Sequence, residues 1–167
     1  LFIAADANAS ALTEIAWRAG RKTVRGGISN LICIAEPLAT LATELTAAAD
    51  RITMILPWGS LFRAVAAPEL VSLRHIAHLC LSGANVEIVL SYDERDARER
   101  ASLPAGGLSE EHIATLPGLY QQAGLQIVGA DRFLQRELAD YQTTWAKRLA
   151  FGRPRKVWRL RARYAGQ

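Results

Sequence analysis

Trp58 stands in the stretch ILPWGSL, between Pro57 and Gly59 and directly after an apolar run. A tryptophan on so tight a turn can offer its face to a flat ligand, and a base stacked on an aromatic ring is held by about 1–3 kcal/mol. Trp145 and Trp158 lie in TTWAKRLAFGRPRKVWRLRARY, which runs from Thr143 to Tyr164 with eight lysines and arginines and no acid. Ordinary core building does not need the cations, and a solvated tail does not need the tryptophans. Cations neutralise phosphates, and an aromatic ring among them stacks on an unpaired base. Reaching a base inside folded RNA means flipping it out, at a cost of about a few kcal/mol that two facing rings would offset. Trp58 and Trp145 are the candidates for that pair. Trp158 shares its strand parity with apolar neighbours, and Trp17 is expected to pack within its helix.

A carboxylate supplies the second feature. LFIAADA reads as a short buried strand ending at Asp6. An acid at the carboxyl end of a strand can hold both hydroxyls of a ribose, although acids are common there without that role.

A fold in which strands and helices alternate must position these residues. LICIA, RITMIL, ANVEIVLSY, LQIVGADRFL and PRKVWRLRARY read as further strands. NASALTEIAWRAGRK reads as a helix capped by Asn8 or Ser10. PLATLATELTAAA is a helix with Pro37 near its first turn, and PELVSLRHIAHLCL is an amphipathic helix stopped by Gly83. EEHIATLPGLYQQAG is helical but interrupted near Pro117. QRELADYQTTWAKRLAFG is expected to be a helix followed by a loop. TVRGGISN is a loop whose Gly26–Gly27 pair permits unusual backbone angles, and DERDARERASLPAGGLS is a polar connection. The alternation indicates an α/β domain with a mostly parallel sheet. In the last strand Trp158, Leu160, Ala162 and Tyr164 share one parity, and Arg155, Val157, Arg159, Arg161 and Arg163 the other. One face is expected to pack and the other to meet water or an anion.

The chain has 167 residues, half of them hydrophobic, which is enough for one domain with a real core. The net charge of +4 is modest, but it is segregated. A second basic cluster, RAGRKTVRGG, spans Arg18 to Gly27, while acids gather from Glu87 to Glu99 and at Glu110 and Glu111. Segregated positive charge is the footprint of a polyanion partner, with a solvated basic face as the plainer alternative. Cys33 and Cys80 lie in apolar runs and read as buried, reduced thiols. No metal-ligand spacing joins them to His75, His78 or His112, so no metal is expected. No apolar run approaches bilayer length and no signal peptide is evident, so a cytoplasmic protein is expected.

With these residues on the page, DRITMILPWGSLFR together with TTWAKRLAFGRPR resembles the aminoglycoside-resistance 16S rRNA (adenine(1408)-N1)-methyltransferases of the NpmA and KamB type, and more the former. The resemblance covers essentially the whole chain. It implies a Rossmann-like class I methyltransferase with an antiparallel C-terminal strand. The implied cosubstrate is S-adenosyl-L-methionine, and the implied partner is 16S rRNA in the small ribosomal subunit, met by a monomer. By position it implies that Asp6 binds the cosubstrate ribose and that Leu56 and Pro57 line the cosubstrate pocket. An acid near the cosubstrate adenine falls by ungapped counting on Ala39, with Glu36 as the substitute. Trp58 and Trp145 match the pair that sandwiches the flipped adenine, and Thr143 falls where the family has a serine near cosubstrate and base. Arg155 matches an arginine that holds the phosphate of the flipped nucleotide, and Arg148 and Arg153 match neighbouring basic positions. Arg18, Arg21, Lys22 and Arg25 fall in the loop that docks on rRNA. Arg98 and Arg100 fall in a variable connection where further contacts are expected. The RNA-facing segments implied are 17–30, 92–108 and 141–156.

Such folds open with a strand and a glycine-rich turn, and this sequence is expected to begin at the second strand, as a single domain over residues 1–167. That departure makes a non-catalytic RNA-binding protein the alternative in a different class. A methyltransferase acting on another RNA or a small molecule is a third. Methyl transfer to the N1 lone pair needs position rather than a strong general base, and no Ser–His–Asp arrangement is expected.

Overall fold

The structure is a computed structural model that describes residues 1–93, 95, 103, 107–141 and 143–166. It divides into two compact units, Leu1–Glu44 and Leu45–Gln167. No helix among the described residues is long and apolar enough to cross a membrane.

In the first unit β1 (Phe2–Ala5) pairs in parallel with β2 (Leu31–Ile34), in register from Phe2 opposite Leu31 to Ala5 opposite Ile34. Between them runs α1 (Ala9–Ala19), capped as expected by Asn8, whose side chain accepts from the Ser10 N–H at 3.1 Å. A 3-10 turn, Thr23–Arg25, carries the chain back, and α2 (Leu38–Glu44) follows β2. Pro37 accepts from the Leu41 N–H at the start of α2, a place where a missing proline N–H costs nothing. The buried apolar residues here are Leu12, Leu41 and Ala42.

The second unit is built on a four-stranded sheet in the order β3 (Ala49–Ile55), β4 (Cys80–Tyr92), β6 (Lys156–Tyr164), β5 (Leu125–Arg132). β3, β4 and β5 run one way, and β6 is antiparallel to both of its neighbours. α3 (Gly59–Ala66) and α4 (Leu70–Leu79) connect β3 to β4, and α5 (Glu110–Gln122) leads into β5. The parity read in the last strand holds. Trp158, Leu160 and Ala162 are buried, whereas Arg161 and Arg163 are exposed; Val157, on the arginine parity, is the exception and is buried. Trp158 is a core residue whose indole N–H donates to the Leu108 carbonyl at 3.0 Å. The arginine face meets the protein's own acid: Arg161 and Arg159 lie 2.6 and 3.6 Å from Asp131 on β5.

Three expectations are corrected. Gly83 does not stop α4: the helix ends at Leu79, Cys80 is already extended, and the chain passes directly into β4. Gly83, at φ 80°, serves a bulge instead, because Ala49 pairs with Cys80 while Arg51 pairs with Asn85. Pro117 does not interrupt α5, which runs unbroken from Glu110 to Gln122. Pro117 is exposed, and the buried stripe of Ile113, Leu116 and Tyr120, at about 1.5–3 kcal/mol per large side chain, outweighs a local cost of about 3 kcal/mol. The stretch Gln135–Ala150 is not one helix. It is a 3-10 turn, Gln135–Asp140, an extended break, and α6 (Thr144–Ala150). Glu137 accepts from the Leu134 N–H at 2.8 Å and Thr143 caps α6, so local capping divides the run.

Cys80 is buried, and burial pushes its thiol up to about 11; Cys33 is half-buried, and both are free thiols. Buried Tyr120 donates to the Val65 carbonyl at 2.7 Å, and burial raises its phenol well above the usual value.

Candidate functional site

One cluster of buried apolar side chains draws on five elements. It comprises Leu56 after β3, Val89 of β4, Leu138 of the 3-10 turn, Ala146, Leu149 and Ala150 of α6, and Val157 of β6. Leu56 is the pivot. Its N–H donates to the Val89 carbonyl at 2.8 Å, and its φ of 54° turns the chain out of the sheet. A left-handed leucine costs about 1–2 kcal/mol, which burial of its side chain offsets. Pro57 is buried behind it, and Trp58 emerges as the N-cap residue of α3.

α6 arrives on the other side of the same cluster. Thr143 accepts the Ala146 N–H at 3.0 Å, fixing the first turn of the helix. Trp145 follows in the first turn of that helix. The rings of Trp58 and Trp145 meet at 5.9 Å between centroids with 62° between planes, an edge-to-face contact. Both remain accessible, at 47% and 40% exposure. The guanidinium of Arg148 lies 5.9 Å from the Trp145 ring centre. The two tryptophans read from opposite ends of the sequence are thus neighbours, joined by packing.

The segment after α6 is held by a residue that the sequence did not single out. Gln135, just past β5, donates its amide N–H groups to the carbonyls of Leu149 (2.7 Å), Arg153 (2.9 Å) and Gly152 (3.3 Å). Its Oε1 accepts the Arg155 N–H at 3.1 Å. One side chain therefore satisfies carbonyls left open at a helix end and fixes the loop that carries Arg153 and Arg155. Arg153 is exposed. The Arg155 guanidinium is largely buried; it donates to Ser91 Oγ at 3.0 Å and lies 3.9 Å from Asp93. Its Nε is buried without an acceptor among the described residues. Tyr141, just before α6, donates to Glu87 at 3.0 Å. Burial first, and then Glu87, push its phenol up to about 12.

In the first unit, Asp6 and Glu36 follow the carboxyl ends of the paired strands β1 and β2. Asp6 is exposed, its Oδ1 accepts the Asn8 N–H at 2.8 Å, and its own N–H donates to the Ile34 carbonyl. Two acids beyond adjacent parallel strands suit the hydroxyl and amine donors of a nucleoside. Arg18, Arg21, Lys22 and Arg25 are all exposed on the end of α1 and the turn that follows. Trp17 corrects an expectation. It does not pack within its helix but is 62% exposed, with the Arg21 guanidinium 4.5 Å above its ring. Five positions on from buried Leu12, it lies about 140° around the helix from the packed face. Arg98 and Arg100 lie outside the described residues.

Residues 1–164 match the family model described as NpmA: 16S rRNA (adenine(1408)-N(1))-methyltransferase. The chain belongs to this family. A 16S rRNA (adenine(1408)-N(1))-methyltransferase of Escherichia coli is 30% identical over 95% of this chain and 74% of its own length. That of Streptoalloteichus tenebrarius is 29% identical over 93% and 72%. Among solved structures, a variant of the enzyme from Catenulisporales acidiphilia with the cosubstrate SAM superposes with a TM-score of 0.84. It is 26% identical and is covered over 98% of this chain and 75% of that one. The aminoglycoside resistance methyltransferase NpmB1 is 36% identical, with a TM-score of 0.75 over 97% and 74%. Membership of the NpmA family makes the protein an enzyme of the class I methyltransferase fold.

Proposed function

We propose that the protein methylates N1 of adenine 1408 in 16S rRNA of the small ribosomal subunit, conferring aminoglycoside resistance, with the flipped base held between Trp58 and Trp145. The observation that carries this reading is the contact of those two rings at the carboxyl end of β3, where open α/β sheets bind their ligands. S-adenosyl-L-methionine supplies an electrophilic methyl group when bound. Asp6 and Glu36 are the residues suited to its nucleoside hydroxyls and amine, and Leu56 and Pro57 to a wall of its pocket.

The rest of the chemistry is positional. N1 of adenine carries its lone pair at neutral pH, so the protein has to aim it rather than deprotonate it. The rings now touch edge to face. A base between them needs van der Waals contact of about 3.5–4.0 Å on each side, so the rings must part and turn parallel. Losing an aromatic pair costs about 0.5–1.5 kcal/mol, and two stacks at about 1–3 kcal/mol each more than replace it. Thr143 uses one lone pair as the cap of α6 and keeps its hydroxyl proton for the base or its ribose. Arg155, whose ion pair to Asp93 is long and whose Nε has no acceptor among the described residues, is suited to the phosphate of the flipped nucleotide. Arg148 and Arg153 are suited to neighbouring phosphates. Segments 17–30 and 141–156 would face the RNA, as would 92–108, most of which lies outside the described residues.

The test is methyl transfer from labelled S-adenosylmethionine to isolated small subunits, with the modified base located by reverse transcription. Trp58→Ala and Trp145→Ala should each lower the rate at least 100-fold while binding to the subunit changes little. Near-normal rates in either variant would remove the stacking model. Binding without methylation by the unaltered protein would instead favour a non-catalytic RNA-binding role.

A further inference from the structure

Trp17 takes no part in the chemistry proposed above, yet its ring is 62% exposed. It stands on a surface built for an anion. From Ala16 to Ala35 the sequence has no acid, while Arg18, Arg21, Lys22 and Arg25 are all exposed. The guanidinium of Arg21 lies 4.5 Å over the indole and restrains its orientation. The loop beneath is fixed. Arg18 O accepts the N–H groups of Arg21 and Ile28, and Lys22 O accepts those of Arg25 and Gly27. A Cβ at Gly27 would collide with the Arg21 carbonyl, so the closure depends on glycine.

Cations alone suffice to hold phosphates. An exposed indole adds something only where a base is unstacked and free to lie against it. We propose that Trp17, held by Arg21, is a stacking platform for an unpaired base of the RNA partner, with Arg18, Lys22 and Arg25 on the flanking phosphates. This rests on the RNA-partner reading above, but it places a base contact at the end of α1, beside a loop otherwise expected to read only backbone charge.

The experiment is equilibrium binding to isolated small ribosomal subunits across a salt series, with melting temperature measured in parallel. Trp17→Ala should weaken binding about 5- to 100-fold and leave the slope of log K against log salt unchanged, because an indole releases no counterion. Trp17→Phe should recover part of the loss. Lys22→Glu should behave oppositely, reducing the slope by about 0.9 or more. Unchanged affinity in Trp17→Ala overturns the platform, and so does a loss of affinity with the slope change of Lys22→Glu. A lower melting temperature with unchanged affinity would give the ring a packing role instead. An unaltered protein that fails to bind subunits would overturn the RNA-partner reading together with this one.

Discussion

Two aromatic sites in this protein are built in opposite ways. Trp58 and Trp145 stand on a cluster drawn from β3, β4, α6, β6 and the 3-10 turn between β5 and α6. Their placement depends on residues distant in sequence. Trp17 stands on the last turn of α1, which leads into a loop closed by its own backbone within eleven residues, Arg18 to Ile28, in a unit with three buried apolar side chains among those described. The first arrangement suits transfer chemistry, in which a small misplacement of a reacting atom costs rate. The second suits docking, where charge and stacking tolerate small shifts. Core packing serves aim, and local hydrogen bonding serves grip.

That contrast can be tested by damaging each support. The largest effect is expected at Leu138, fully buried in the cluster that also holds Leu56 and Ala146. Leu138→Ala should lower stability by about 2–5 kcal/mol in denaturant melts. It should also slow methylation in the protein that remains folded, while salt-dependent docking through residues 18–25 is kept. Equal loss of rate and docking would show that the two sites are not separately supported.

Gln135→Leu comes next, at about 1–3 kcal/mol, because it removes the side-chain partner of three carbonyls and one N–H, of which the Leu149 carbonyl keeps the Gly152 N–H. It should weaken subunit binding through Arg153 and Arg155, and Gln135→Glu should not restore it, since a carboxylate cannot donate to carbonyls. Full activity in Gln135→Leu would show that the loop is held without it.

The smallest effect concerns pH. The Tyr141 phenol is raised from about 10 to about 12 in the folded protein. Its contribution is therefore complete below pH 10 and is lost as pH rises from 10 to 12. Tyr141→Phe should flatten the alkaline fall in stability over that window, as read from melts at each pH. An identical profile would remove Tyr141 as its source.

Much of this organisation is legible in the sequence because it rests on periodicity and punctuation. The alternating strands, the cap at Asn8, the two-faced last strand and the turn at Pro57–Gly59 are local properties, and the structure has them. The failures came where distant packing overrode local rules. The exposed face of Pro117 let α5 continue, and a bulge used the glycine that looked like a helix stop. Trp17 looked like a core residue because tryptophans usually are, whereas its angle from Leu12 was readable and decisive. Gln135 left no signal: its four partners lie 14 to 20 positions away and are all backbone groups.

The edge-to-face tryptophan pair also has an optical meaning. Two indoles 5.9 Å apart and inclined by 62° are coupled oscillators, with a chirality fixed by the fold. A base inserted between them would break that coupling and quench both emissions. The protein thus carries an intrinsic spectroscopic gauge of whether its site is open, closed or filled, one that needs no dye and no label.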